Sequence, residues 1–454
     1  MKSVIICDME GKIQNLNKDA EKLFGYSNDE LIGKKRVSIF SPGEIVLQNV
    51  LVWLKKANSN GIYETKTNFI KKDGTIFNAK IVITPNFSNG KGNPQTGYCG
   101  ITEPIDEDIK IPISLTTKII KAVAITRAGF TSASLFPVLV VAAYFAGKGD
   151  SLFSIFSLFL TLIGILFLQL FSNLYNDYFD VKHGTDGLND NYFNVGLNDP
   201  ILKGAQLSGG SRAVELGLIT LPRTKYLANI MLIVSVCSLI SIFGISINNT
   251  NSIFNSKIIL IIALLGMFLG YFYTAKPLRL SGRNGLGELT IFFAFGPLLT
   301  LGTGYAISIN TIDLFSSEFN NLLLLGLPVG LLTTNILFIN QFPDFESDTK
   351  AGKNNLVVLF GKKISRWIYL ILLILTFIFM FLFSDILNHE IINFSFSIYY
   401  LCNLILLSVG LLIYKHIFIN YDKRSLIKSN INTIYFHTIF SIVYILMLNP
   451  FYLN

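Results

Sequence analysis

The chain has 454 residues, of which 51% are apolar and only 15% are charged, and its mean hydropathy is +0.52. This composition excludes an ordinary soluble globule and predicts that most of the chain lies in lipid. The excess of 37 Lys and Arg over 29 Asp and Glu fits cytoplasmic loops better than nucleic-acid binding, so no nucleic-acid partner is predicted.

Residues 1–105 differ sharply from the rest, because they are polar and alternate short β-type runs with helix-like segments. They predict a small α+β domain. Within it, "AEKLFGYSNDELIGK" and "KKDGT" resemble the PAS family of sensor domains. The resemblance implies a five-stranded antiparallel sheet whose flanking helices enclose a small pocket, and it suggests self-association through this domain.

The four cysteines show no CxxC spacing and no Cys/His cluster that would hold zinc. By the PAS resemblance, Cys7 and Cys99 lie on neighbouring antiparallel strands, where a disulfide between them is one hypothesis. Two small buried thiols in a reducing cytoplasm are the favoured interpretation. No histidine precedes His183, so a His-ligated haem is not expected in the PAS pocket.

A linker, residues 106–125, leads to residues 126–454, in which apolar runs of membrane-spanning length recur. A helix needs about 20 residues to cross a bilayer. By this criterion we predict an all-α polytopic membrane bundle of about nine transmembrane helices. The predicted spans lie near residues 129–147, 152–175, 226–247, 257–274, 287–308, 321–341, 365–384, 396–419 and 432–449.

The basic residues give this bundle one orientation. Loops on the side of the PAS domain carry most of the Lys and Arg, whereas the opposite loops carry only Lys148 and Lys257. The start "MKSVIICDMEGKIQN" turns polar after a few apolar residues and does not predict a signal peptide. We therefore expect a multi-pass protein of the plasma membrane with a cytoplasmic PAS domain.

The second predicted span ends in the acid-rich stretch "NLYNDYFDVKHGTD", residues 173–186. Asn173, Asp177 and Asp180 are spaced i, i+4 and i+7 and share one face of a continuing helix, with Asn176 beside it. Ionisable groups at such a place are costly and usually functional. Oxygen ligands on one face suit Mg²⁺, which is commonly held by one or two carboxylates and substrate phosphates.

A second acid cluster, in "NQFPDFESDTK", follows at the inner end of the sixth predicted span. Asn340, Asp344 and Asp348 are spaced i, i+4 and i+8, so the two clusters would face each other in a bundle. Either cluster alone is also compatible with a capped, solvated helix end. A transporter would keep its carboxylates nearer the bilayer midplane. Together the clusters predict a site for two Mg²⁺ ions and a diphosphate leaving group.

Loops with basic residues adjoin both clusters. "LSGGSR" offers a glycine pair for close backbone approach and Arg212 for bidentate contact with a phosphate. "YFYTAKPLRLSGRNGLGEL" contributes Tyr273, Lys276 and Arg279. Each of these basic residues alone would be an ordinary cytoplasmic-loop charge, and their convergence on the acids favours phosphate binding.

These stretches, together with "NQFPDFESDTKAGKNNLVVLFGKK", resemble the UbiA superfamily of membrane prenyltransferases, in particular its MenA-like branch, over about residues 120–450. The resemblance implies nine helices around a central cavity, with both motifs at its cytoplasmic mouth. It assigns catalysis and Mg²⁺ binding to Asp177, Asp180, Asp344 and Asp348. Contact with the diphosphate and substrate falls to Asn173, Asn176, Arg212, Tyr273, Lys276, Asn340 and Lys353.

The implied reaction moves a polyprenyl group from its diphosphate to an aromatic quinone precursor, which is 1,4-dihydroxy-2-naphthoate in the MenA-like branch. In this chain "QFPD" replaces the family's "N-x-RD" form at the second motif, which leaves phosphate contact there to Lys350 or Lys353. Other acceptors, such as 4-hydroxybenzoate or a non-aromatic lipid alcohol, are alternatives. A membrane sensor, with the PAS domain as input and the bundle as a ligand receptor, is the alternative of another class.

Overall fold

The chain divides into two compact units. The computed structural model describes residues 2–88, 90, 92–149, 152–182, 210–214, 217–250, 253–388 and 396–448. The first unit runs to Thr126 and includes Ser211–Thr224, and the second begins at Arg127 and includes the chain from Lys225 onward. The predicted domain boundaries at residues 105 and 125 stay predictions.

The first unit contains one antiparallel sheet, whose five described strands follow the order β2-β1-β5-β4-β3. This confirms the predicted sheet. The strands are β1 Ser3–Asp8, β2 Ile13–Leu16, β3 Tyr63–Ile70, β4 Ile76–Asn86 and β5 Gly97–Pro104. The helices are α1 Lys18–Phe24, α2 Asn28–Leu31, α3 Gly43–Ile45, α4 Leu51–Asn60 and α5 Leu115–Thr126.

Local signals explain the helices that follow β2. Asn17 caps α1, because its Oδ1 accepts a hydrogen bond from Ala20 N at 2.9 Å. Gly25 ends α1 with a left-handed backbone, φ 76°, which favours glycine. Ser27 and Glu30 form a capping box at the start of α2. The stretch "AEKLFGYSNDELIGK" therefore contains the end of α1, its glycine C-cap and the capped start of α2.

An aromatic core lies between these helices and the sheet. The ring centroid of Phe24 is 4.2 Å from that of Phe40, 5.8 Å from that of Phe69 and 5.7 Å from that of Phe77. Burying such a side chain contributes about 2–3 kcal/mol to stability. Phe40 lies at the end of a short 3₁₀ turn, so the core extends to the segment that leads into α3.

The register between β1 and β5 shows whether Cys7 and Cys99 could form a disulfide. Cys7 pairs with Tyr98, and Cys99 pairs with Ile6. Because successive side chains of a strand alternate between the faces of the sheet, the two thiols lie on opposite faces. The hypothesis of a Cys7–Cys99 bridge is therefore wrong. Both cysteines are free, and burial raises the pKa of Cys7 to about 12.

The second unit is helical, and the described part of the chain holds nine helices long and apolar enough to cross a membrane, as predicted. Helices α7, Ile155–Lys182, and α12, Ser317–Lys350, extend beyond the predicted spans, because polar residues continue them at their C-terminal ends. The nine spans comprise ten helices, because α10 and α11 together form the fifth span. These helices are α6 Ser132–Lys148, α7 Ile155–Lys182, α8 Leu221–Thr250, α9 Ile253–Phe272, α10 Leu286–Phe295, α11 Pro297–Ile307, α12 Ser317–Lys350, α13 Leu356–Asn388, α14 Phe396–Asn420 and α15 Ile427–Leu448.

Apolar side chains cover the outside of this unit, and polar contacts lie between its helices. Ile261, Leu264 and Phe268 of α9 are all exposed. Between α13 and α15, by contrast, the hydroxyl groups of Tyr369 and Thr433 are hydrogen-bonded at 2.9 Å. Hydrogen bonds of this kind join helices in lipid, where no water can satisfy the polar groups. The chain is a multi-pass membrane protein.

The fifth span is broken between α10 and α11, at Gly296 and Pro297. The break packs directly on α12, because a Cβ added at Gly326 would lie 2.5 Å from the carbonyl carbon of Gly296. A Cβ added at Gly330 would lie 2.9 Å from the Cα of Gly296. Small residues allow helix backbones to approach this closely in a membrane. The contact fixes the broken span against the helix that carries the second acid cluster.

We expect Gly326→Ala to lower the thermal unfolding temperature of the detergent-solubilised protein, because overpacking a close contact costs about 1–3 kcal/mol. The matched control is Gly244→Ala in α8, where an added Cβ has no other atom within 4 Å. There Ala gains helix propensity, so the control should unfold at the same or a slightly higher temperature. Equal unfolding temperatures for the two variants would contradict the close contact.

Candidate active site

The first acid cluster lies in the last turns of α7. Asn173 and Asp177 are buried. Asn173 Oδ1 accepts a hydrogen bond from Gln169 Nε2 at 3.0 Å, one turn earlier on the same helix. Asn176 Oδ1 accepts a hydrogen bond from Thr274 Oγ1 at 2.8 Å. The second bond joins the C-terminal end of α7 to the chain just after α9.

The second acid cluster lies in the last turns of α12. Asp348 is buried and Asp344 is partly exposed. Asn340 Oδ1 accepts a hydrogen bond from Asn430 Nδ2 of α15 at 2.8 Å. Asp348 Oδ2 accepts one from Asn355 Nδ2 at 2.7 Å. Neighbouring amide groups therefore orient this cluster.

Lys353 joins the two clusters. Its Nζ lies 2.9 Å from Asp180 Oδ1 and 3.8 Å from Asp348 Oδ1. The three side chains are only 10–14% exposed, so water and salt screen these attractions weakly. The carboxylates of α7 and α12 thus meet around one cationic group, which is the facing arrangement expected from the sequence.

The loop between α12 and α13 places Lys353 there. Lys353 N donates a hydrogen bond to Asp348 O at 2.9 Å, which turns the chain back toward α12. Asn354 N donates to Gly282 O at 3.1 Å, and this joins the loop to the one between α9 and α10. Asn355 caps α13, because its Oδ1 accepts from Val358 N at 2.9 Å.

Glu288, at the start of α10, was missed by the sequence analysis. It is 4% exposed, and its Oε1 accepts hydrogen bonds from Gln341 Nε2 and from Leu356 N, both at 2.9 Å. Its Oε2 is buried and has no hydrogen-bond partner among the described residues. Glu288 therefore joins α10 to α12, one residue beyond Asn340, and to the start of α13. A lone acid at the head of the apolar run "LTIFFAF" was the only signal in the sequence.

Tyr273 lies after the end of α9, among carboxylates. Burial, followed by the negative charges of Glu288, Asp180 and Asp348, raises the pKa of its hydroxyl above the usual range. Tyr273 therefore keeps its proton at neutral pH and offers a hydrogen-bond donor near the acids.

Other predicted phosphate ligands are not part of the Lys353 contact. Lys276 and Lys350 are exposed. Arg212 is 1% exposed and belongs to the first unit. Residues 183–186 of the acid-rich stretch and residues 207–209 of "LSGGSR" lie outside the described residues.

The donor set fits Mg²⁺. No group of three or more His, Cys, Asp or Glu that would enclose a metal by itself occurs among the residues described above. Mg²⁺ does not require one, because it keeps several waters and is commonly bound by one or two carboxylates together with substrate phosphates. Carboxylate and amide oxygens are its preferred ligands, and Lys353 shows that a positive charge is accommodated between the two clusters.

An apolar cavity lies further along α7, between this helix and α8, α9, α10 and α11. Leu168 of α7 lines it and precedes Asp177 by nine residues, which is about 14 Å along a helix. Its other lining residues include Gly164, Leu239, Ile259, Gly266 and Gly302. The residues that line the cavity are mostly apolar.

Two known families match this chain. Residues 134–439, more than half of it, match the UbiA prenyltransferase family, and residues 1–102 match the PAS domain family.

Individual proteins are similar over smaller regions. The 1,4-dihydroxy-2-naphthoate octaprenyltransferase of Haemophilus influenzae is 29% identical over 214 residues, covering 47% of this chain and 60% of that protein. The enzyme of the same name from Bacillus subtilis is 29% identical over 241 residues, covering 53% and 65%. This chain thus spans less than two thirds of the length of these relatives. A UbiA homolog from Archaeoglobus fulgidus has 16% identity and a TM-score of 0.48, covering 73% of this chain and 99% of that one.

We expect Glu288→Ala to destabilise the bundle, because it leaves the buried donors of Gln341 and Leu356 without an acceptor, each costing about 1–3 kcal/mol. Glu288→Gln keeps one carbonyl oxygen for both donors and should lose less stability. The thermal unfolding temperatures of the wild type and the two variants in detergent give their order of stability. The control is Asp422→Ala, whose side chain is 70% exposed and pairs with Lys362, and it should change stability little. Equal effects of Ala at both positions would contradict this role of Glu288.

Proposed function

This chain belongs to the UbiA prenyltransferase family and carries a PAS domain at its N-terminal side, and from that premise we propose that it transfers a polyprenyl group from its diphosphate to 1,4-dihydroxy-2-naphthoate. The observation that carries the proposal is the meeting of two acid clusters around Lys353 at the end of membrane helices. Two relatives are named 1,4-dihydroxy-2-naphthoate octaprenyltransferase, a name that describes this reaction for those proteins.

A diphosphate is strongly negative, so carboxylates bind it only through positive charge between them. We propose that Asp177, Asp180, Asp344 and Asp348 hold Mg²⁺, which when bound supplies Lewis-acid stabilisation of the leaving diphosphate. Lys353 is then released from Asp180 and Asp348 to contact the diphosphate oxygens. The further proposed diphosphate and substrate contacts are Asn173, Asn176, Arg212, Tyr273, Lys276 and Asn340.

The proposed reaction breaks the allylic C–O bond of the donor, and the diphosphate leaves with the bonding electron pair. A ring carbon of the acceptor forms the new C–C bond, and the carboxylate on that carbon leaves as CO₂, returning its electron pair to the ring. The positive charge that develops on the prenyl carbon favours aromatic faces. Tyr175 and Tyr178 flank Asp177 on α7, with ring centroids 6.0 Å apart, and are the residues we propose for this contact.

The apolar cavity beside α7 is the proposed site of the prenyl tail. Its lining is almost entirely hydrocarbon, and burial of each CH₂ group of a tail contributes about 0.8 kcal/mol. The tail would extend from the acids toward Leu168 and beyond.

We further propose that the protein lies in the plasma membrane with the PAS domain in the cytoplasm. The distribution of basic residues supports this orientation, because Lys276, Arg279 and Arg283 follow α9 on the side of the acid clusters. Lys148, at the opposite end of α6, is paired with Glu318 at 2.7 Å. Self-association through the PAS domain stays a prediction.

We expect membranes containing the protein to prenylate 1,4-dihydroxy-2-naphthoate with geranylgeranyl diphosphate, and to stop when Mg²⁺ is chelated. Asp177→Asn should lower the rate by roughly 100-fold or more, the usual effect of removing one group that stabilises a transition-state charge. Chromatography of the prenylated product measures the rate for each variant, with and without Mg²⁺. Asp422→Asn, an exposed acid outside the site, is the control and should keep the wild-type rate.

The same assay separates the alternatives. Product from 4-hydroxybenzoate or a lipid alcohol instead of the naphthoate would move the proposal to that acceptor. No Mg²⁺-dependent product from any of them would refute the transferase and favour a membrane sensor without transferase activity.

We expect Gly266→Leu to shift donor preference toward shorter prenyl chains. A Cβ at Gly266 makes ordinary contact with Leu168 at 3.8 Å, so the larger side chain enters the cavity without disturbing the backbone. The ratio of rates with geranyl and geranylgeranyl diphosphate should rise several-fold, because part of the longer tail loses its buried position. Gly244→Leu, on α8 and in open space, should leave the ratio unchanged. An unchanged ratio of rates in Gly266→Leu would contradict the proposal that the prenyl tail occupies this cavity.

A further inference from the structure

Helix α5, the last helix before the first membrane span, is attached to the PAS domain along one face. Glu44 pairs with Lys121 of α5 at 2.6 Å. Gln48 Oε1 accepts hydrogen bonds from Thr117 Oγ1 at 2.9 Å and from Ser114 N at 3.1 Å. Thr117 and Lys121 are spaced i and i+4 and share one face of the helix. That face of α5 is therefore held on the PAS domain.

The opposite face of α5 is apolar and exposed. Leu115, Ile119 and Val123 are spaced i, i+4 and i+8, so they share one face of the helix. Their exposed fractions are 73%, 56% and 43%, and Ile120 beside them is 39% exposed. At 3.6 residues per turn, Ile119 points about 160° away from Thr117 around the helix axis. Four large apolar side chains therefore stand on the side of α5 that is turned away from its PAS contacts.

The charges of α5 match a negatively charged partner. The helix contains Lys118 and Lys121 and no carboxylate. Lys118 is exposed and lies at the edge of the apolar face, about 60° from Leu115 around the helix axis. At such an edge a lysine keeps its hydrocarbon stem on apolar surface and its ammonium group in a polar layer. An apolar face bordered by lysine is typical of helices that lie on membrane surfaces.

The chain itself keeps α5 close to lipid. This helix ends at Thr126, and the membrane helix α6 begins at Ser132. Six residues reach at most about 20 Å when fully extended. Part of this interval is a 3₁₀ turn, Ala128–Phe130, which shortens the reach further. The end of α5 therefore lies within a short distance of a segment that is in the bilayer.

A second copy of the chain is the other apolar partner to compare with lipid. Two α5 helices that paired through the exposed face would bring Lys118 of each copy together, with no carboxylate on either helix to compensate them. Like charges brought together across an interface weaken it. A leaflet that contains anionic lipids attracts the same lysines instead. The charges of α5 therefore favour lipid.

We propose that the exposed face of α5 lies in the interface of an anionic lipid leaflet, and that α5 thereby holds the PAS domain on the membrane surface. Leu115, Ile119 and Val123 enter the boundary between headgroups and acyl chains, where such helices are buried by about 5–10 Å. Lys118 contacts the phosphate groups of the lipids. This inference does not depend on the reaction proposed above, because it requires only the first unit and lipid.

Ile119→Trp and, separately, Val123→Trp test the insertion in the full chain, reconstituted in nanodiscs of equal amounts of phosphatidylcholine and phosphatidylglycerol. Both substitutions replace exposed side chains, so neither disturbs a packed core. Trp367→Phe in all variants removes a native tryptophan that is exposed on a membrane span, whereas Trp53 stays as a buried background. The matched control is Lys22→Trp, at an exposed position on α1 of the same domain.

We expect phosphatidylcholine with brominated acyl chains to lower the tryptophan fluorescence of Ile119→Trp and Val123→Trp about twofold, because an interfacial helix places its apolar side chains beside the acyl chains. The fluorescence of Lys22→Trp should not change. Nanodiscs without phosphatidylglycerol should give weaker quenching of Ile119→Trp. Adding Lys118→Glu to Ile119→Trp should abolish this dependence on phosphatidylglycerol, because it replaces the attraction to anionic headgroups by repulsion.

Three other results would overturn the proposal in whole or in part. Emission typical of a water-exposed indole at both positions, without quenching by the brominated lipid, would show that the face of α5 stays in water. Emission typical of a shielded indole, again without quenching, would show that protein covers the face, and its loss at one copy per nanodisc would identify that protein as a second copy. Equal quenching with and without phosphatidylglycerol would overturn the preference for anionic lipid.

Discussion

Negative charge gathered at the end of membrane helices has to be compensated, and this requirement determines how the helices and loops at that end of the bundle are arranged. Asp177, Asp180, Asp344 and Asp348 would repel one another across α7 and α12 in a region that water screens weakly. Lys353 compensates part of this charge, and hydrogen bonds from Asn355 and Asn430 orient the second cluster. The hydrogen bonds of the loop between α12 and α13 place Lys353 beside the carboxylates.

The helix that carries the second cluster is held by α10 at two levels. In the membrane, Gly326 and Gly330 pack against the break at Gly296. About 22 Å beyond Gly326 along α12, at 1.5 Å per residue, Gln341 is hydrogen-bonded to Glu288. Two attachments to the same neighbour leave α12 little freedom to tilt or rotate. A rigid support of this kind keeps ligand-binding groups within the small tolerance that catalysis requires.

The order of the domains, the number of spans and both acid clusters could be predicted from sequence, because apolar length and helical spacing are local signals. The facing of the two clusters was also expected, but the particular long-range contacts that hold them could not be predicted. Lys353 reaches the acids only because its loop folds onto Gly282, and Glu288 has partners 53 and 68 residues away. The faces of Cys7 and Cys99 depend on a strand register that a shift of one residue would reverse.

Gly43 lies against Leu218 within the first unit, because a Cβ added at Gly43 would lie 2.7 Å from Leu218 Cα. This contact joins two parts of the chain that are synthesised at different times. Leu218 leaves the ribosome about 90 residues after Thr126, the last residue of the first continuous part of this unit. At typical translation rates that is a delay of roughly 5–20 s. Two membrane spans, α6 and α7, are made during this interval. The contact at Gly43 can therefore form only after α6 and α7 have been synthesised, so the first unit is completed later than the first two membrane spans.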